Sequence, residues 1–342
     1  MAIPPQPEGA GSPCRYYMND EYTTTLTDKR PVVITIGNFD GIHRGHQHLL
    51  HELQVMADEL ACHPVIVTFS PHTLMVVRPD VDLQCLTTLE EKLALADRYS
   101  GISDSIVVHF TPQVAALSAE AFMDELCSHF SIRGLVVGED FSLGRNRMGN
   151  IHFLKQYGEQ HQILVRSIPL TEETQERISS TRIRALVREG AIKEANALLG
   201  HPLLSLGEVV HGDERGRLLG FPTANIRPPL HKLLPANGVY AVRVRIVKGP
   251  TGDESASSFV YTGTGTGVAN IGIRPTFNGK ERLLEVHLLD TSLDLYGSTL
   301  AVEFLDFLRS EQRFPGIEAL KEQIAADVQK ARQILTNRSV SN

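Results

Sequence analysis

Two hydrophobic periodicities divide the chain. Between residues 31 and about 202, short β-branched runs alternate with stretches whose apolar positions recur every three or four residues. The runs at 32–36, 65–69, 106–110, 135–137 and 163–168 predict buried strands. Helices are predicted between them. One carries Leu49, Leu53, Met56 and Leu60 on one face, another spans 89–99, and a third spans 118–130 with Phe122, Leu126 and Phe130 in a stripe. Thr88 followed by Glu91 is a capping-box signature for the second of these. Strands alternating with helices imply a doubly wound parallel sheet with right-handed crossovers, covered on both faces. Ligands in such sheets bind beyond the carboxyl ends of the strands.

After Gly200-His201-Pro202 the period shortens to two. Tyr240, Val242, Val244 and Ile246 alternate with Arg243 and Arg245, and Leu284, Val286 and Leu288 with Glu285 and His287. Val302, Phe304 and Phe307 belong to a further strand, and a helix is predicted over 317–335. Such strands predict a small antiparallel β-barrel followed by a C-terminal helix. The Gly/Thr run 262–267 reads as a flexible loop. The predicted organisation is a disordered lead-in at 1–15, an α/β domain at 16–202 and the barrel domain at 203–342.

Composition restricts the function classes. Of 342 residues, 42% are hydrophobic and 21% charged, which is ordinary for a globular chain of two domains. A net charge of −7 argues against a general nucleic-acid binder. No apolar run reaches membrane-spanning length, and the N-terminus lacks a secretory pattern, so no membrane association and a cytoplasmic location are expected. Cys14, Cys62, Cys85 and Cys127 show no Cys-x-x-Cys spacing and read as reduced, mostly buried thiols.

The first chemical signal is Gly37-Asn-Phe-Asp-Gly-Ile-His-Arg-Gly-His46, placed between a predicted strand and a helix. A strand, a glycine-rich turn and a helix start form a site for phosphate, where N–H groups and the positive end of the helix dipole converge. His43 and His46, three apart, project from the same side, and Gly45 leaves room for a polyphosphate. Zinc is the rival ligand for two close histidines, but a zinc helix spaces them four apart around a Glu. A second signal is Ile178-Ser-Ser-Thr-Arg-Ile-Arg184, with Arg177 and Arg184 at its edges. Hydroxyls and arginines at a helix start either cap it or bind phosphate oxygens.

Two weaker signals lie in the barrel region. Thr223 and Asn225, two apart on an extended segment, turn their oxygens the same way and leave room for phosphates and waters around magnesium. The alternative is a turn that uses Asn and Pro for geometry only. Glu285 is either a general base in an apolar setting or a solvated strand carboxylate. There is no Gly-x-x-x-x-Gly-Lys-Ser/Thr loop, no Gly-x-Ser-x-Gly elbow and no properly spaced dinucleotide fingerprint.

Together with Thr68-Phe-Ser-Pro-His72, Val137-Gly-Glu-Asp-Phe141, Gly220-Phe-Pro-Thr-Ala-Asn-Ile226 and Val268-Ala-Asn-Ile-Gly-Ile-Arg-Pro-Thr-Phe277, these stretches resemble the prokaryotic bifunctional riboflavin kinase/FMN adenylyltransferase (FAD synthetase) family. The resemblance implies riboflavin, FMN and ATP as partners and Mg2+ as the accompanying metal. In the barrel it implies Glu285 as base on the ribityl 5′-hydroxyl, Thr223 and Asn225 as metal-holding residues, and Gly216 and Gly220 beside ATP. In the α/β domain it implies adenylylation of FMN, with His43 and His46 stabilising phosphate charge. Ser180, Thr181, Arg177 and Arg184 would grip the remaining oxygens, Gly37, Phe39 and Gly45 would line the ATP site, and Asp140 would stand near the flavin. The chain departs from the family pattern at Thr73, where a second proline is usual, and at the inserted 262–267 run. A single-activity adenylyltransferase for another phosphorylated precursor, and a flavin-binding regulator, are the competing readings. Oligomeric state is not legible.

Overall fold

The computed structural model describes residues 16–19, 22–26, 29–169, 172–173, 176–211, 220–248, 260–276, 279–290 and 295–339. The predicted lead-in at 1–15, with Cys14, and Gly216 fall outside these. In chain order the first part comprises β1 (Tyr16–Asn19), β2 (Tyr22–Thr24), β3 (Val32–Ile36), α1 (Arg44–Glu59), β4 (His63–Ser70), α2 (Thr73–Val77), α3 (Leu89–Ser100), β5 (Ser105–His109), α4 (Pro112–Ala115) and α5 (Ala119–His129). It continues through β6 (Ile132–Gly138), α6 (Ile151–His161), β7 (Leu164–Ile168), β8 (Glu172–Glu173), β9 (Glu176–Arg177), α7 (Ser180–Glu189) and α8 (Ile192–Leu199).

The main sheet has seven strands in the order β1-β2-β5-β4-β3-β6-β7; the five from β5 to β7 run parallel, and β1 and β2 add an antiparallel edge. The chain winds outward from β3 in both directions, so the end of β3 is the topological switch point. Side-chain alternation sends Val33, Ile66 and Val136 to the face packed by α1 and α3. Ile34, Val67 and Val137 point to the other face, packed by α5 and α6. Each face therefore buries a separate core, as expected of strands covered on both sides. The capping box of α3 forms as expected: Glu91 N donates to Thr88 Oγ1 and Thr88 N to Glu91 Oε2. On α1 the buried stripe is Leu50, Leu53, Met56 and Ala57. The predicted stripe packs on this core as well: Leu53 and Met56 are buried in it, and Leu49 and Leu60, partly buried, pack against it, with Leu49 also at the edge of a cavity.

The second part comprises β10 (Leu203–Val210), β11 (Ala224–Arg227), β12 (Gly238–Lys248), β13 (Val260–Thr276), β14 (Gly279–Leu288), β15 (Thr299–Arg309) and α9 (Ile317–Ser339). The strands close into an antiparallel barrel in the order β10-β11-β14-β13-β12-β15. Its interior holds Tyr240, Val242, Val244, Ile271, Leu284, Val286, Val302 and Phe304. The barrel also shares this core with Ile183 and Val187 of α7 and with Ile192 and Leu199 of α8. α9 covers Val239, Ala241, Val268 and Leu305 on the outer surface.

One expectation is corrected. Residues 262–267 are a length of β13, in register with β12 from Ile246↔Gly263 to Val242↔Gly267. The glycines permit close strand approach: a Cβ on Gly267 would lie 2.7 Å from the carbonyl oxygen of His287 on β14. The small residues fit a tight sheet and do not mark a loop. Cys62, Cys85 and Cys127 are free thiols, as expected, but half-buried and not mostly buried.

Candidate active site

The turn after β3 is wound tightly. Phe39 (φ 48°), Gly41 (φ 91°) and Ile42 (φ 42°) all occupy the left-handed region. For a β-branched residue such as Ile42 that is a rare conformation, kept only where the surroundings over-determine it. Here they do. Gly41 N donates to Thr87 Oγ1 at 3.0 Å, His201 Nε2 hydrogen-bonds Gly41 O at 2.9 Å, and Gln47 Nε2 donates to Ile42 O at 2.8 Å. At Gly41 an added Cβ would meet Leu86 Cδ1 at 2.8 Å.

This turn aims the start of α1 into a cavity of about 1050 Å³. His43 is the N-cap, its Nδ1 accepting from His46 N at 3.3 Å. The start of α7 faces the same cavity, capped by Ser179, with Ser180 and Thr181 among the lining residues. Neither helix has an acidic residue in its first turn. Arg182 and Arg184 instead stand at the positive end of α7, where cations are unfavourable unless an anion is near. Two helix N-termini without acids, converging on one cavity, form an anion site. Gly37, Phe39, His43, Gly45, His46, Asp140, Ser180, Thr181 and Arg184 all line this cavity. Of Arg177 only the backbone is described, in β9. The other end of the cavity is apolar and aromatic, with Phe69, Phe110, Phe122 and Phe141.

Electrostatics distinguish the lining residues. The Asp40 carboxylate is buried and accepts from Arg184 Nη2 (2.8 Å) and Nε (3.2 Å), Leu86 N (3.1 Å) and Thr87 N (3.0 Å). Burial works against its ionisation, but Arg184 and the two N–H groups outweigh burial and hold its carboxyl below the usual value. Burial pushes His43 down to about 4, more than Asp40 restores, and drives His46 well below its ordinary value, helped by the charges of His43 and Lys92. Burial likewise brings His72 down to about 4 and the Lys92 ammonium, hydrogen-bonded to Thr68 Oγ1 at 3.0 Å, down to about 8. His46 Nδ1 is buried without a hydrogen-bond partner. Such an atom costs about 1–3 kcal/mol until a ligand satisfies it.

In the barrel, strand pairing aligns Asn225 of β11 with Glu285 of β14, and Glu285 with Asn270 of β13. Leu284 and Val286 face the interior, so Glu285 stands on the outer surface, opposite that row as the alternation predicts, between two amides in register and not in the apolar setting that was one of its two readings. Asn225 is buried, and Thr223 immediately precedes its strand. His287, on the same outer face, hydrogen-bonds Pro222 O through Nδ1 at 2.8 Å and meets the Phe221 ring edge-on. Gly220 is exposed with φ 86°.

Residues 25–182 match the FAD synthetase family and residues 199–335 the riboflavin kinase family. Over 303 residues, 88% of this chain and 92% of the relative, the sequence is 40% identical to the bifunctional riboflavin kinase/FMN adenylyltransferase of Escherichia coli strain K12. The protein of that description from Listeria monocytogenes serovar 1/2a is 34% identical over 320 residues, 92% of this chain and 96% of the relative. The chain belongs to this bifunctional family. Its FAD synthetase half carries the nucleotidyltransferase activity and its riboflavin kinase half the kinase activity, with riboflavin, FMN and ATP as substrates. A solved structure described as a macrolide-efflux protein of Streptococcus pneumoniae is also similar, with a TM-score of 0.76 and 31% identity over 88% of this chain and 94% of that one. Among the described residues no helix is long and apolar enough to cross a membrane. The match to both halves removes the single-activity reading.

Several residues of the FAD synthetase half escaped the sequence reading. Asp40 sits inside the quoted motif, and its placement between Phe39 and a left-handed Gly41 was the available signal. Asn38 bridges to the start of α2, donating to Thr73 Oγ1 at 2.9 Å and accepting from Thr73 N at 3.2 Å. Thr73 thus serves the cavity wall although it departs from the family pattern. In the kinase half, only strand register brings Asn270 beside Glu285, whereas His287, two residues along the same strand, was legible in the alternation but was given no role. ATP-using kinases and adenylyltransferases generally need a divalent metal. Among the described residues no cluster of three or more His, Cys, Asp or Glu could hold one. The oxygens of Thr223 and Asn225 are instead of the hard, neutral kind that suits a cation shared with phosphates.

Proposed function

We propose that FMN is adenylylated in the cavity between α1 and α7 and that riboflavin is phosphorylated on the outer face of β11 and β14, within domains at 16–202 and 203–342. The first assignment is carried by the paired helix N-termini around His43 and His46. A phosphate oxygen of FMN attacks the α-phosphorus of ATP, the bond from that phosphorus to the bridging oxygen breaks, and pyrophosphate leaves. His43, neutral with its proton on Nε2, donates to the oxygens on which charge grows, and His46 stacks against it. Ser180, Thr181 and the N–H groups of α7 hold the phosphates that depart, with Arg184 and Arg177 adding charge. Gly37, Phe39 and Gly45 leave room for the nucleotide, and Asp140 lies beside the flavin. This is positioning and charge stabilisation without covalent catalysis.

In the barrel, Glu285 accepts the proton of the ribityl 5′-hydroxyl as its oxygen bonds the γ-phosphorus, and ADP leaves. Thr223 and Asn225 would hold Mg2+, which when bound neutralises charge on the phosphates; Gly220, and Gly216 outside the described residues, would stand beside ATP, where a glycine lets phosphates approach the chain's backbone. A cytoplasmic location follows from where both vitamin and ATP meet. The test is incubation with riboflavin, ATP and Mg2+, with FMN and FAD separated over time. FMN should appear first and FAD at its expense. Neither product forming would overturn the assignment.

A further inference from the structure

The segment 85–91 belongs to both halves of the chain. On one side Leu86 N and Thr87 N donate to the Asp40 carboxylate at 3.1 and 3.0 Å, and Asp40 holds Arg184 at 2.8 Å in the wall of the cavity. On the other side the same segment is gripped from beyond residue 202. Cys85 N donates to His231 O and Leu233 N to Cys85 O, both at 2.8 Å. Lys232 Nζ donates to Leu86 O and, at 2.6 Å, to Glu91 Oε2, while Leu206 N donates to Glu91 Oε1 at 2.6 Å. The Leu86 side chain packs in the barrel's own hydrophobic cluster, beside Leu233 and Leu234.

Lys232 and Glu91 are both wholly buried. A buried ion pair confers little stability over an apolar pair of similar size, and its best-attested use is to fix one arrangement among alternatives. Here the arrangement it fixes ends at Arg184. We infer that Lys232, a residue of the riboflavin kinase half that touches no substrate, is a positioning residue for the adenylylation site, acting through Leu86 and Asp40 on Arg184. The barrel is on this account part of the FAD synthetase machinery. The inference rests on reading the cavity as the adenylylation site. Without Lys232, Glu91 keeps a buried charge with only N–H partners, the segment relaxes, and the two N–H groups that orient Asp40 move with it.

The test uses the full chain. For Lys232→Met, kcat for FAD formation from supplied FMN should fall about tenfold, with the KM values changed less than twofold, and riboflavin phosphorylation should stay within twofold of the parent. Combined with Asp40→Asn, Lys232→Met should add no further loss, because both act on one group. An unchanged adenylylation kcat, an equal loss in both reactions by a variant whose thermal melt matches the parent, or losses that multiply in the double variant would each overturn the inference. If Lys232→Met loses kinase activity through misfolding, Lys232→Arg decides. It keeps the charge, but its larger planar guanidinium cannot take the ammonium's place in a wholly buried site between Leu86 O and Glu91, so a selective loss of adenylylation supports the inference and parent-like adenylylation overturns it. Failure of the parent chain to make FAD from FMN would instead strike the assignment of the cavity itself.

Discussion

The imidazole rings of His43 and His46 lie face to face, their centroids 3.6 Å apart and their planes 15° from parallel. Two stacked rings in a buried position cannot both carry charge, and burial keeps both below their ordinary pKa. Because His43 Nδ1 accepts the His46 N–H, its proton resides on Nε2. The pair enters the reaction as neutral donors backed by a helix dipole.

Removing either ring should therefore be felt in one reaction only. His43→Ala or His46→Ala should lower kcat for FAD formation by about 10²–10³, the usual effect of losing one preorganised donor. Riboflavin phosphorylation should stay near the parent rate. Parallel loss of FMN and FAD formation, read by product separation, would contradict separate sites.

Acid should destabilise the fold through its buried histidines. Burial lowers His43 and His72 to about 4 and also depresses His46 and His201. In the unfolded chain these rings protonate near 6.5. Between those values the unfolded state binds more protons, so their stabilising contribution is complete above pH 6.5 and is lost as pH falls toward 4. His43 alone amounts to about 1.4 kcal/mol per pH unit in that window. Asp40, with a lowered carboxyl pKa, adds its loss only at lower pH. Urea melts at pH 7.5, 6.0 and 5.0 should show a falling midpoint, flatter in His43→Asn. An equal midpoint at all three values would refute the neutral-histidine account.

Glu285→Gln keeps the shape of the side chain and removes the proton acceptor. Kinase kcat should fall about 10²–10⁴, the range for a positioned general base. FAD should still form from supplied FMN, whereas a reaction fed riboflavin should yield almost neither product. Full kinase turnover in this variant would leave Glu285 as one more amide-flanked surface carboxylate.

What could be read in the chain was local. The 37–46 turn and the 178–184 helix start each complete their geometry within about ten residues, and the alternation of Tyr240, Val242 and Val244 announced the barrel interior. What could not be read depends on strands and helices meeting. Asp40 and Arg184 are 144 positions apart, and Glu91 and Lys232 are 141 apart. For Glu285 an apolar setting and a solvated one both stayed open, because its own strand shows only the alternation. Register instead supplies Asn225 and Asn270 from two other strands.

The Gly/Thr run 262–267 misled because small residues carry no apolar alternation and glycine ordinarily marks turns. Its role as a tightly packed strand can be tested at two positions. An alanine at Gly267 would place Cβ 2.7 Å from His287 O and 3.3 Å from Val286 Cγ1, forcing β13 away from β14. Overpacking of this kind costs about 1–3 kcal/mol. The displacement should also lower kinase turnover, since the alignment of Asn270 with Glu285 depends on that strand pair. Thr264 is exposed on the same strand, and Thr264→Ala should change stability by less than about 0.5 kcal/mol. Thermal melts and kinase assays of the two variants separate the cases: a flexible loop would accept both changes alike, whereas the sheet should accept only the one at Thr264.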